Sequence, residues 1–226
     1  SFSSKLFDYL TTSSDYTGLT ISSTFGDFFQ NLHDDNIQPT AIYTKFFEDT
    51  VQSSGIALFK DEFMITHVDS LFTLAHSICT NKLESATITI DNPFDEGHYV
   101  DLDIELYKKT DVAINIINGT PYIELDVYPK GAIRSSGSVF NYIDNDNITK
   151  LEDATNKYLK NVITDYLYDI TKEYNTDVIG FKGICQSKYF TEDEFDTVHW
   201  DDVFQDSFFN VNVKSEVNSS NLFNKE

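Results

Sequence analysis

Apolar and polar residues alternate most regularly in "YVDLDIEL" (99–106), where Val100, Leu102, Ile104 and Leu106 interleave with Asp101, Asp103 and Glu105. A period of two predicts a strand with one face buried and the other in water. "DVAINIINGTPYIELDVY" (111–128) continues the pattern around Asn118-Gly119, a pair suited to a type I′ hairpin turn because both central residues need positive φ. The turn sets the register. Ile117 faces Thr120, Ile114 faces Ile123 and Val112 faces Leu125, with apolar partners on one face. Pro121 falls opposite Ile116 in a non-hydrogen-bonded pair, where its missing N–H costs nothing.

The period changes to helical in "TKLEDATNKYLKNVITDYLYDITKEY" (149–174). Leu151, Tyr158, Leu159, Val162, Ile163, Tyr166, Leu167, Ile170 and Tyr174 form one stripe, and Thr149 with Glu152 fits a capping box. Such a stripe has to be covered, and the apolar face of the sheet is the obvious partner. "DSLFTLAHSIC" (69–79) spaces Leu71, Leu74, Ala75 and Ile78 as a second helix, with Asp69 or Ser70 as cap. A short helix through Phe28, Phe29 and Leu32 has Thr24 or Asp27 as its cap. Thr191 with Glu194 opens another helical stretch.

Further strands are predicted at 39–47, 85–90, 176–181 and 208–217, and "GIALFKDEFMIT" (55–66) reads as a hairpin turning at Lys60-Asp61. The polar tract "DTVQSSG" (49–55) is the best domain boundary: 1–52 as the end of a preceding domain, 53–226 as the C-terminal domain. The expected class is α+β, an antiparallel-rich mixed sheet packed against one long amphipathic helix, with shorter helices around it.

Charge narrows the partners. A formal net charge of −21 and a pI near 4.3 argue against a nucleic-acid backbone and against an anionic membrane surface as partner. No run approaches the roughly 18 apolar residues of a membrane helix. With Met64 as its one methionine, the chain reads as a processed product or an excised ectodomain. Cys79 and Cys185 form no CxxC pair; they read as two buried thiols, with one long-range disulfide as the alternative.

The motifs carry little chemistry. "TDVIGFKGICQSKYF" (176–190) places Gly180 and Gly183 in a GxxG, which is neither GxxxxGK[ST] nor GxGxxG. The two glycines follow the long helix rather than opening one, and read as structural, for a bulge or close packing at a strand end. His33, His67, His76, His98 and His199 sit at no metal-ligand spacing, and His76 reads as a surface or core residue of its helix. "DNDN" (144–147) fails as a calcium loop, since Thr149 and Thr155 stand where Gly and Glu are required. Asp101, Asp103 and Glu105, near Glu124 and Asp126 if their strands adjoin, offer the one candidate cation site; the alternative is a solvated face beside Lys108 and Lys109. A calcium-binding or carboxylate-based hydrolase domain of a secreted protein would use that strip. Three sequons, at Asn118, Asn147 and Asn218, are weak signs of a secreted source, and Asn118 already has a role in its turn. No catalytic residue and no cofactor is indicated.

The order of elements resembles the C-terminal domain of the C subunits of bacterial spore germinant receptors, the Ger(x)C lipoproteins. "GIALFKDEFMI" is similar to the family's opening, and the likeness continues through "SLFTLAHSICTNKLESATITIDNP", "NGTPYIELDV" and "ITKLEDATNKYLKNVI". "TDVIGFKGICQSKYF" is similar to its helix-ending segment, and "VHWDDVFQDSFFNVNVKSEV" to its finish. The likeness covers about residues 55–217, and 1–52 would match the end of the preceding domain. Lys182 departs from the second Gly of the family's GFG, and the usual basic-residue-plus-glycine close is missing. The resemblance implies a non-enzymatic, lipid-anchored subunit on the outer surface of the spore inner membrane. It would work with two integral membrane subunits to trigger germination, its lipid-bearing cysteine preceding Ser1.

Overall fold

The computed structural model describes residues 24–47, 50–137 and 145–218. Two sheets organise them. The larger has five strands: β4 (Ala86–Asp91), β5 (Tyr99–Ile117), β6 (Thr120–Ser136) and β7 (Phe208–Val213) in that order, with β8 (Glu216–Asn218) also on β6. β4, β5 and β6 run antiparallel, and β7 and β8 run parallel to β6. The sheet is therefore mixed and mostly antiparallel.

The β5–β6 hairpin follows the pattern of its residues. Ile117 pairs with Thr120, Ile114 with Ile123, Val112 with Leu125 and Ile116 with Pro121. Asn118 and Gly119 have φ of 52° and 80°, the double left-handed step of a type I′ turn. Val100, Leu102, Ile104, Ile114, Ile123, Leu125, Val127 and Ile133 are all buried on the inner face.

Across that face lies α3 (Asn145–Tyr168), extended by a π-helical turn (Asp169–Glu173). It packs on β4, β7 and β8 and on α2 (Ser70–Cys79). Leu151, Leu159, Ile163, Tyr166, Leu167 and Ile170 are fully buried, so the stripe finds the cover it requires. Thr155 and Thr171, buried in the same stripe, return their hydroxyls to the carbonyls of Leu151 and Leu167 one turn back.

The helix begins earlier than its apolar stripe. It is already formed at Asn145, which puts Thr149 and Glu152 inside it, so no capping box forms there. Glu152 serves the sheet instead: its carboxylate accepts from Val217 N at 3.0 Å, while the Asn156 carboxamide oxygen accepts from Ser215 N at 2.8 Å. These two side chains span the break between β7 and β8, so the single strand expected over 208–217 is two.

The smaller sheet is a meander of β1 (Thr40–Phe47), β2 (Thr50–Lys60) and β3 (Phe63–Val68). The polar tract 49–55 is largely β2, paired with β1. The β2–β3 turn sits one residue later than its sequence suggests, at Asp61-Glu62, with Lys60 paired to Phe63 and Asp61 at φ 53°. Gly55, at φ 122°, passes so close to β3 that a Cβ would lie 1.8 Å from the Val68 carbonyl oxygen; only glycine fits.

α1 (Phe25–Leu32) is capped by Thr24 in a capping box with Asp27. α2 is capped by Asp69, whose carboxylate accepts from Leu71 N and Phe72 N. Its buried run starts only at Thr73, so Leu71 in the first turn is exposed rather than core. Four short pieces close the chain before β7: α4 (Phe181–Gln186), α5 (Glu192–Asp196), α6 (Trp200–Val203) and a 3₁₀ turn (Phe204–Asp206). Thr191 caps α5, but Glu194 reaches back to Phe190 N rather than to the cap residue.

Candidate functional site

The acidic strip of β5 lies on the outer face of the sheet, where its charges already have partners. Asp101 accepts from the hydroxyls of Ser135 and Thr89, which hold its carboxyl below the ordinary aspartate range. Asp103 accepts from the Thr87 hydroxyl at 2.6 Å and pairs with Arg134 at 3.4 Å; Glu105 pairs with Lys130 at 3.3 Å. Register keeps the second acidic pair away: Glu124 stands opposite Ala113 and Asp126 opposite Asp111. Asn210 and Asn212 on β7 donate to Glu124, Asn212 also to Asp126, and Lys108 pairs with Asp111. The five carboxylates thus stay spread along the sheet. Among the described residues no three His, Cys, Asp or Glu side chains are placed to share a metal ion.

The GxxG stretch is built differently from its expected strand. Residues 176–180 form a loop, and Gly180, at φ 86°, opens α4. Asp177 is the reason. Its buried carboxylate accepts from Gly180 N (2.9 Å), Phe181 N (3.0 Å) and Lys182 N (2.7 Å), turning the chain where a ladder would have kept it straight. Burial pushes the Asp177 carboxyl up to about 6, against the pull of those backbone donors. The N–H groups that a phosphate would need are therefore occupied by a side chain of the protein itself.

The glycines also admit a neighbour. A Cβ on Gly180 would touch Ile37 at 3.4 Å, and one on Gly183 would lie 3.2 Å from the Asn36 Cβ. Gln38 N donates to the Asp177 carbonyl at 2.9 Å, so the 36–38 segment is pinned to this turn. Beside it opens a cleft of about 930 Å³ whose walls include Asp34, Asp61, Asp177, Lys182 and Trp200. Lys182 pairs there with Asp201 at 3.1 Å. The Trp200 indole nitrogen is buried without a hydrogen-bond partner among the described residues.

A third polar contact ties α2 to α3. His76 Nδ1 lies 2.8 Å from the Tyr166 hydroxyl, both side chains being buried. Burial lowers the His76 pKa to about 3 and raises Tyr166 well above its usual range, so both are neutral at pH 7. Cys79, one turn on, is pushed up to about 12, the state of an inert thiol. Cys79 and Cys185 are both free and buried. Of the aromatics between β4 and β5 and between α4 and α5, Phe190 is fully exposed and Phe94 packs against the core.

Neither Asp177 nor the His76–Tyr166 contact was a candidate from the residue pattern. For Asp177 a signal existed: an aspartate three residues before a glycine, in a segment too short to alternate. His76 and Tyr166 lie 90 residues apart and left none.

Comparison with known proteins gives a consistent result. The family model for "Spore germination B3/ GerAC like, C-terminal" matches residues 54–221. Among solved structures, the crystal structure of the GerBC protein superposes with a TM-score of 0.69 at 18% sequence identity. The match covers 81% of this chain and 57% of that one, so the chain spans little more than half the length of its structural neighbour. Comparison with curated proteins found no match.

Proposed function

Since the chain belongs to the spore germination B3/GerAC-like C-terminal family, we propose that it is the C-terminal part of a germinant-receptor C subunit. In this reading it is a non-enzymatic lipoprotein subunit that assembles with two integral membrane subunits and helps nutrient signals trigger germination. The observation that carries the reading is the family match over residues 54–221. The GerBC-like fold supports the architecture alone.

The protein is then held on the outer surface of the spore inner membrane by a lipid on a cysteine upstream of Ser1. No described helix is long and apolar enough to cross a membrane. Residues 1–52 are the end of a preceding domain, with β1 clipped to the first hairpin of the C-terminal domain through β2. A fragment of residues 53–226 should keep the amide spectrum of the five-stranded sheet.

The test of assembly is co-purification. Full-length tagged protein, extracted from spore membranes in mild detergent, should bring down both integral subunits in fixed proportion. Recovery of the tagged protein alone, under conditions that keep the two integral subunits together, overturns the reading.

A further inference from the structure

The sheet edges of this protein are not treated alike. β1 carries Lys45, β4 ends on Asp91, and β7 presents Asn210 and Asn212 and is followed by Lys214. Charges and polar side chains at an edge strand discourage pairing with another chain. β3 lacks a charged guard, its polar side chains being Thr66 and His67. Its sequence, "FMITHV", contains no Lys, Asp, Glu or Pro, and among the described residues it pairs with β2 alone.

Three successive apolar side chains on β3 stand in solvent: Phe63 is 68% exposed, Met64 47% and Ile65 39%. The cause is a bulge. Leu58 pairs with Thr66 and Phe59 with Met64, leaving Ile65 as the extra residue and turning consecutive side chains outward. The bulge twists the edge, yet no second strand pairs with its outer row among the described residues; the His67 carbonyl takes the neighbouring Thr66 hydroxyl at 3.4 Å. A row of that kind is completed by another extended strand.

Charge decides whose strand it is. The edge is acidic at both ends, with Asp61 and Glu62 exposed in the turn before it and Asp69 exposed after it; Lys60 is the single cation nearby in sequence. A second copy paired antiparallel about a two-fold axis would bring Asp61 and Glu62 of one chain to Asp69 of the other. Like charges facing across strands are destabilising, and each copy carries a net charge of −21. A strand that places Lys or Arg at its ends turns the same geometry into attraction.

We propose that β3 is a docking edge for an extended, apolar partner segment flanked by basic residues, which adds a fourth strand to the β1–β2–β3 sheet. The inference stands on sheet geometry and charge, and does not depend on the receptor reading.

Hydrogen exchange read by mass spectrometry tests it, with the synthetic peptide Lys-Val-Thr-Val-Thr-Val-Lys as probe at about 1 mM, a concentration that detects millimolar affinity. The peptide should slow exchange across residues 63–67 by about twofold, the half-occupancy reached when a millimolar Kd equals the peptide concentration. A peptide with Glu at both ends, or with Pro in place of the central Val, should give no protection. Ile65→Lys, at an exposed position, should abolish the effect while leaving the melting temperature unchanged. Absence of protection by the basic peptide overturns the proposal. So does protection that appears without peptide and grows with protein concentration, which would make the occupant a second copy. Protection already present at low concentration in the full-length protein also overturns it, assigning the edge to the chain itself.

Discussion

The β5–β6 hairpin with its helix and the 176–186 turn are both largely buried, but different physics holds each in place. In the first, dozens of weak apolar contacts share the load, and any one side chain is a fraction of the whole. In the second, one buried carboxylate satisfies three backbone donors, and two glycines let a neighbouring segment approach. A core built by pattern degrades gradually. A turn built on one side chain fails at that side chain.

The largest loss on the patterned side should come from Ile163→Ala. The residue is fully buried in the stripe of α3, and removing its side chain should cost about 2–5 kcal/mol, read as a lower urea midpoint with little change in slope. A loss below about 1 kcal/mol would mean that the stripe of α3 contributes little to the core.

An effect of similar size should appear with pH. His76 has a folded-state pKa of about 3, below its unfolded value of 6.5, so its contribution is complete above pH 6.5 and drains away as pH falls toward 3. Asp177 works in the opposite sense. Its folded value of about 6 lies above the unfolded 3.8, so its contribution is present below pH 3.8 and is lost as pH rises through 6. The two partly cancel between about pH 4 and 6. His76→Gln should therefore flatten the acid limb of the stability profile, and Asp177→Asn should steepen it; denaturation midpoints at several pH values separate them.

On the turn's side, Asp177→Ala should cost about 2–3 kcal/mol, because it strands the buried N–H of Phe181 and the part-buried N–H groups of Gly180 and Lys182. Asp177→Asn, which keeps one acceptor oxygen, should lose less at pH 7. Gly180→Ala follows at about 1–2 kcal/mol, from positive φ and the contact with Ile37. The smallest effect belongs to the outer face. Asp103→Asn, at a half-exposed pair with Arg134, should shift stability by less than about 0.5 kcal/mol.

What could be read in advance divides along the same line. Alternation places residues 112–117 against 120–125 to the residue, because a two-residue turn with a fixed backbone leaves one register, whereas the bulges beyond Asp111 shift the pairing of the longer strands. Helical spacing locates α3, but the stripe begins at Leu151 while the polar first turn begins at Asn145, so a cap read from the stripe falls inside the helix. "TDVIGF" has the composition of a strand but is too short to alternate, and its one sign that Asp177 folds back onto the following amides is the glycine three residues on. Glu152 met the spacing rule for a capping box and answers a different need, the unpaired Val217 amide. The acidic strip was visible as a row of charges, but its neutralising hydroxyls and cations belong to β4 and β6, which only pairing brings alongside.

The placement of β7 and β8 has a kinetic consequence. β5 and β6 are joined by two residues and can zip at once, whereas β7 reaches β6 only after the whole of α3 and the short helices have intervened. Closing so distant a contact is slow, since chain entropy is lost before the pairing is gained. The hairpin should therefore be the nucleus, and the parallel rim the last seam to seal and the first to open.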